Sequence, residues 1–352
     1  TAKSFHLKSS ICTLQSDYQS TIKFALKGLE HCGISLHQNP DLDEMHKAFQ
    51  ITDRLLKNYE LDDLLRLPTC HSEWVNVAMK LLSNLICSFF VDNLISFTHL
   101  AKMVELTLLH GVTPEASHGL SWYAVKLGEH YGLYDYGSEL AATALKLVQE
   151  HSYDVTLTST LVACDQMFGW THPIDHALRH ARRAQERGAI GGDIGMSCYA
   201  WKHVTCGLLF RGGNLAAAAE EIDRGIAFVR SYGFSDIERI LQAQAYYCET
   251  LMKGISATSP SVRASFDSAL PGTQSAPSGL VAAMTAIYEG MCALAFGDPA
   301  QARKIYRDNA LNARGLRGHI AHTEYQLWYC LAQCTDPSPA PEIVRELEEI
   351  RA

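Results

Sequence analysis

His172, His176 and His180 stand four residues apart and would share one face of a helix. That spacing can present imidazoles to one metal ion or to an anion. The surroundings argue against a metal: no HExxH is present, His172 precedes Pro173, and Arg179, Arg182 and Arg183 would repel a cation. The ladder therefore reads as a solvated helix face, and a metal-dependent enzyme built on it is the least favoured alternative. Gly188, Gly191, Gly192 and Gly195 cluster, but a phosphate cradle needs a strand before it and a helix after it. Here a helix precedes the cluster and no Gly-Lys-Ser/Thr follows, which predicts a turn between helices. Cys330 and Cys334 lie one turn apart beside Trp328 and Tyr329 and read as core rather than redox residues. Arg179, Arg182, Arg183 and Arg187 form one basic strip, and Arg303, Lys304 and Arg307 another. A nucleic-acid groove would need such strips aligned with aromatic platforms. None of these sets completes a catalytic constellation, so no catalytic residue, metal ligand or cofactor is assigned.

Such residues need elements to position them. Four stretches share one spacing: a small residue, an aromatic or small residue at +3, Ala or Leu at +12, and further packing positions at +16 and +19. They are Gly207, Phe210, Ala219, Asp223, Ile226; Gly290, Ala293, Ala302, Tyr306, Asn309; Asp165, Phe168, Ala177, Ala181, Ala184; and Gly128, Tyr131, Leu140, Ala144, Leu147. A turn signal sits inside each, as at Gly132–Asp135 and Gly297–Pro299. Two helices joined by a tight turn require this: small residues at the crossing let the backbones approach, and an aromatic fills the space beside them. Helical periodicity is nearly continuous from 2–13 to 340–351, including helices at 71–88, 92–110, 260–269, 298–313 and 316–334. The stretch 256–278, rich in Ser, Pro, Gly and Ala, predicts an irregular insertion.

The pattern resembles a degenerate tetratricopeptide repeat, lacking the leading Trp and the closing Pro. The fold expected is all-α: an α-solenoid, or superhelix, of antiparallel helical hairpins forming one repeat domain over residues 1–352. In such a stack the first helix of each hairpin lines a concave face. Counting back from the crossing residue places Trp122 and Trp201 on that face, with Glu129, Gln166 and Arg211 at other groove-facing offsets. The pair of Trp rings among mixed polar groups makes a candidate peptide- or ligand-binding channel. The alternative is that both rings fill space between repeats.

The composition sets limits. Net charge is −8 and hydrophobic residues make up 47% of the chain, which disfavours non-specific nucleic-acid binding and supplies a core. The 11 cysteines contain no CxxC pair and fall mainly in apolar stretches, as expected of a reduced, cytoplasmic protein. The most apolar run, Leu81 to Phe97, is broken by Ser83, Asn84, Asp92 and Asn93, so no membrane insertion is expected. The start at Thr1, with helical character following at once, suggests a piece of a longer polypeptide.

From about residue 24 to 254 the chain carries Gly33-Ile34-Ser35-Leu36, Asn39-Pro40, Leu61-Asp62-Asp63-Leu64-Leu65-Arg66-Leu67-Pro68, Lys102-Met103-Val104-Glu105-Leu106-Thr107-Leu108-Leu109-His110-Gly111 and Tyr131-Gly132-Leu133-Tyr134-Asp135-Tyr136-Gly137. In order and spacing these resemble the helical-repeat region of large signalling proteins that join a serine/threonine-kinase-like domain, a STAND-type ATPase, a GAF domain and a sensor histidine kinase. The resemblance implies a non-catalytic regulatory module whose partners are a protein, a peptide or neighbouring domains of one polypeptide. No ATPase, kinase or GAF motif lies within the chain, so none of that family's catalytic residues has a counterpart here. The rival expectation is a sensor domain binding a small-molecule or peptide inducer in the groove.

Overall fold

A computed structural model describes residues 1–15, 17–91, 94–254, 278–335 and 345. The helices expected at 260–269 and 340–351 and the insertion 256–278 lie outside the described residues, apart from Ser278 and Arg345. Among the described residues the chain is all-α, and the only β pairing is an isolated bridge between Thr69 and Val112.

Contacts divide the chain into two compact units, Thr1–Val204 and Thr205–Ala352. The first holds α1 (Ala2–Leu14), α2 (Tyr18–Glu30), α3 (Leu42–Leu56), α4 (Glu73–Asn84), α5 (Ile95–His110), α6 (Ala116–Tyr131), α7 (Tyr134–Glu150), α8 (Asp154–Thr171), α9 (Ile174–Gly191) and most of α10 (Ile194–Arg211). The second holds the end of α10, then α11 (Leu215–Ser231), α12 (Ser235–Lys253), α13 (Gly279–Ala295), α14 (Pro299–Asp308), α15 (Ala310–Ala313) and α16 (Ala321–Cys334). In each unit consecutive helices pack on one another as antiparallel hairpins, the arrangement of an α-solenoid. In the first, α6 pairs with α7 and α8 with α9, while α6 also touches α8. In the second, α11 pairs with α12, and α13 packs on α12, α14 and α16.

Local chemistry sets the ends. Asp41 caps α3 in a reciprocal capping box with Glu44, and Asp298 caps α14, whose first turn carries Pro299. Gly132 and Gly297 adopt positive φ of 66° and 77° in the hairpin turns, a region L side chains avoid. The apolar run at 85–90 tightens into a 3-10 turn rather than extending α4, and the stretch 61–66 forms another. Arg303 donates to the Ala332 carbonyl and to Thr335 at the end of α16, so part of the second basic strip caps a helix.

The small crossing residues are where the spacing places them, but the aromatic comes from elsewhere. A Cβ on Gly128 would stand 2.8 Å from Tyr134, and one on Gly290 would stand 2.3 Å from Tyr306. The second helix of the hairpin supplies the ring in both cases, whereas Tyr131, at +3, stacks on Phe49 at 3.9 Å. The register of the copy at Gly207 also differs. Ala218, Ile222, Gly225 and Val229 are buried along α11, while Asp223 is exposed and Ala219 half-buried. The Gly-Gly-Asn turn starts α11 at Leu215 with Asn214 as its cap, which rotates the apolar stripe by one residue.

Gly290 is the tightest of these contacts, because Tyr306 is fully buried and its hydroxyl donates to the Ile287 carbonyl at 3.1 Å. Gly290→Ala is expected to destabilise the protein by about 1–3 kcal/mol through overpacking. Gly315→Ala, whose added methyl meets nothing within 4 Å, is expected to change stability by less than about 0.5 kcal/mol. Urea melts of the two variants compare them, and equal midpoints would disprove the close approach.

Candidate functional site

Helices α5, α6 and α8 are buried around almost their whole circumference and form the interior of the first unit. Their polar side chains are therefore enclosed, and they meet in a seam. Ser159 on α8 accepts a hydrogen bond from Trp122 Nε1 at 2.9 Å, and its Oγ lies 2.6 Å from His118 Nδ1. One turn away, Ser117 pairs with Thr156 at 2.9 Å, and Thr160 donates to Ser117. The Trp122 ring meets Phe89 edge-on at 5.2 Å, and the Lys126 ammonium sits 4.0 Å over the same phenyl ring. Lys126 then pairs with Glu129 at 2.7 Å, with side-chain exposures of only 6% and 10%. His99, on α5, donates from Nδ1 to the Ile95 carbonyl at 2.6 Å, since a carbonyl can only accept. The Nε2 atoms of His99 and His118 are buried and make no hydrogen bond to the described residues.

A second polar contact joins α8 to α10. His203 Nδ1 lies 2.6 Å from Asp165 Oδ2, in an almost dry setting. Burial pushes the Asp165 carboxyl up to about 7, opposed by Lys202 and His180. Burial also holds His203 well below the usual imidazole range, and Lys202 adds to that. Asp165 is the polar exception at a crossing position that is glycine in the other copies, and this contact accounts for it.

The sequence-derived candidates separate on the structure. Trp122 and Glu129 belong to one connected set through Phe89 and Lys126. Trp122 is 4% exposed and Trp201 9%, so both indoles are interior rather than presented on an open concave face. Helix α6 packs against α4, α5, α7 and α8, so the face of it that would line a groove in an open stack is enclosed. Gln166 on α8 is buried as well. Arg211 is exposed at the end of α10 and belongs to the second unit. His118, Lys126 and Phe89 were missed. The available signal was a histidine and a lysine inside a helix with no polar face.

The other motifs resolve into structure. His172 ends α8 and begins a stack, with rings 4.5 Å from His172 to His176 and 5.0 Å from His176 to His180. All three rings approach Phe168 edge-on at 4.9–5.2 Å. Their Nδ1 atoms face Thr171, Arg179 and the His176 carbonyl. Among the described residues no three His, Cys, Asp or Glu converge as a metal site. The glycine cluster closes α9: Gly192 ends it in the left-handed region, and Gly188 lets α9 approach Ser197 and Thr158. Among the described residues no helix is long and apolar enough to cross a membrane.

Comparison with protein-family models and with curated proteins finds no match.

Two measurements probe the seam. Trp122→Ala is expected to cost about 3–5 kcal/mol by leaving a cavity and removing one of the two partners of Ser159. A variant as stable as the wild type in urea would place the indole outside the core. The second is acid stability. Burial pulls the His118 imidazole from 6.5 down to about 4. As pH falls through that window the unfolded chain takes up a proton that the folded chain refuses. The stability contributed is full above pH 6.5 and falls by up to about 3 kcal/mol towards pH 4. Asp165 acts oppositely, keeping its proton in the fold up to about 7 and favouring the fold most at low pH. Replacing His118 by Asn isolates the first contribution: stability should fall less steeply between pH 6.5 and 4 than in the wild type. Parallel slopes would contradict it.

Proposed function

We propose that the chain is a non-catalytic protein-interaction and regulatory repeat module. Its partner is a helical surface of another protein or of a neighbouring region of the same polypeptide. The observation that carries this reading is the orientation of α1. Leu7, Ile11 and Leu14, at i, i+4 and i+7, are 62%, 47% and 57% exposed. The side of α1 packed on α2 and α4 carries Phe5, which meets Phe24, together with Ser9, Ser10 and Thr13, with Ser9 and Ser10 bonded to Asn84 and Thr13 close to Thr21.

An outward apolar stripe at helical spacing is a surface on which another helix stacks. Repeat stacks suit a coupling role because each hairpin touches only its neighbours, so small rotations add along the array. By its resemblance to the repeat region of multidomain signalling proteins, the module would couple a STAND-type ATPase or kinase-like region to a histidine-kinase output.

The triple change Leu7→Glu, Ile11→Glu, Leu14→Glu should leave helicity and melting temperature near wild type, because the positions are exposed. In a polypeptide carrying the adjoining domains it should uncouple nucleotide state from histidine-kinase autophosphorylation. Unchanged coupling would refute the role of this face. The isolated chain should release no phosphate from labelled ATP with magnesium above a buffer control. Turnover that survives re-purification would refute the non-catalytic reading.

A further inference from the structure

A cleft of about 550 Å³ opens between α3, α6 and the start of α7, within the first unit. Its volume is that of a small-molecule site. Four aromatic rings line it, Phe49, Tyr59, Tyr123 and Tyr136, and Asp53 and Lys57 stand beside them. The rings are held in place from outside the cleft. Phe49 stacks on Tyr131 at 3.9 Å, and the Tyr59 hydroxyl lies 3.5 Å from the Leu108 carbonyl. Tyr123 has no exposed surface, and its hydroxyl makes no well-formed hydrogen bond to the described residues, although Thr52 stands beside it.

The charge arrangement narrows what would fit. The Asp53 carboxylate, 34% exposed, is the acidic group at this cleft. It acts on the phenols of buried Tyr123 and half-buried Tyr136, adding to the effect of burial in keeping both protonated. Electron-rich rings beside a carboxylate attract a cation and disfavour an anion. An ammonium already occupies that position: Lys57 Nζ lies 2.7 Å from Asp53, on a side chain that is 73% exposed. An exposed pair of this kind is weak, so a better-enclosed ammonium can displace it. We propose that this cleft binds a small organic cation, an aromatic or aliphatic body carrying one ammonium group. Asp53 takes the ammonium in place of Lys57, and the body lies among Phe49, Tyr59 and Tyr136.

The test uses the full chain and three matched probes: tryptamine, its neutral analogue indole-3-ethanol, and the anion indole-3-propionate, each titrated by calorimetry at millimolar concentration. Tryptamine should bind at least about tenfold more tightly than the alcohol, and the carboxylate should not bind. Asp53→Asn should make tryptamine and the alcohol equivalent while circular dichroism stays that of the wild type. Lys57→Ala, at an exposed position, should tighten tryptamine by about two- to fivefold by removing the competing ammonium. Equal affinity for all three probes would overturn the proposal. So would binding that Asp53→Asn leaves unchanged, or no saturable tryptamine binding by either the wild type or Lys57→Ala.

Discussion

The approach of one helix backbone to the next at a residue without a side chain is the constraint on which the rest depends. At Gly128, Gly188 and Gly290 a Cβ would lie within 3 Å of a neighbouring side chain. At Gly128 and Gly290 a tyrosine from the partner helix occupies the space instead. A ring seated against a glycine fixes both the distance between helices and their rotation, because a rigid aromatic cannot fill the gap in another register. Short turns then leave the antiparallel partner no alternative position, and the hairpins stack through surfaces already set.

Enclosing helices in this way has an electrostatic consequence. The inner helices α5, α6 and α8 bring His99, His118, Lys126, Glu129 and Asp165 out of water. Removing charge from water costs several kcal/mol per ion unless a partner and hydrogen bonds offset it. The structure answers differently at each place. Lys126 meets both the Glu129 carboxylate and the face of Phe89. His118 and His99 give up their charge, and Asp165 is held close to neutrality against His203. These are arrangements with defined geometry, so they fix the relative rotation of the helices more narrowly than aliphatic packing alone.

The two uncommitted features of the first unit lie at its margins. The α1 stripe turns leucine and isoleucine to solvent while Ser9 and Ser10 face inward. The cleft beside α3 gathers aromatic rings around one carboxylate. We propose the former as a surface for another helix and the latter as a container for a small cation. They share no residue.

The all-α class and the positions of most helices were legible in the sequence. A 3.6-residue apolar period and the cap residues are local signals, and the chain within one helix feels little else. Asp41 with Glu44, Pro299 and Gly132 each mark an end that the structure keeps. The hairpin spacing was legible for the same reason, since a tight turn ties positions on two helices together. It failed by one residue at Ala219, where Asn214 caps α11 and sets its phase. What the sequence could not decide was which side of an inner helix faces water. Trp122 and Trp201 occupy offsets that would line an open groove, yet both are buried, and Trp122 is enclosed by Phe89 and Ser159, more than 30 residues away on either side. The same holds for the cleft. Phe49, Asp53, Tyr123 and Tyr136 come from three helices, and only tertiary packing, in which contact follows distance in space rather than along the chain, makes them one site.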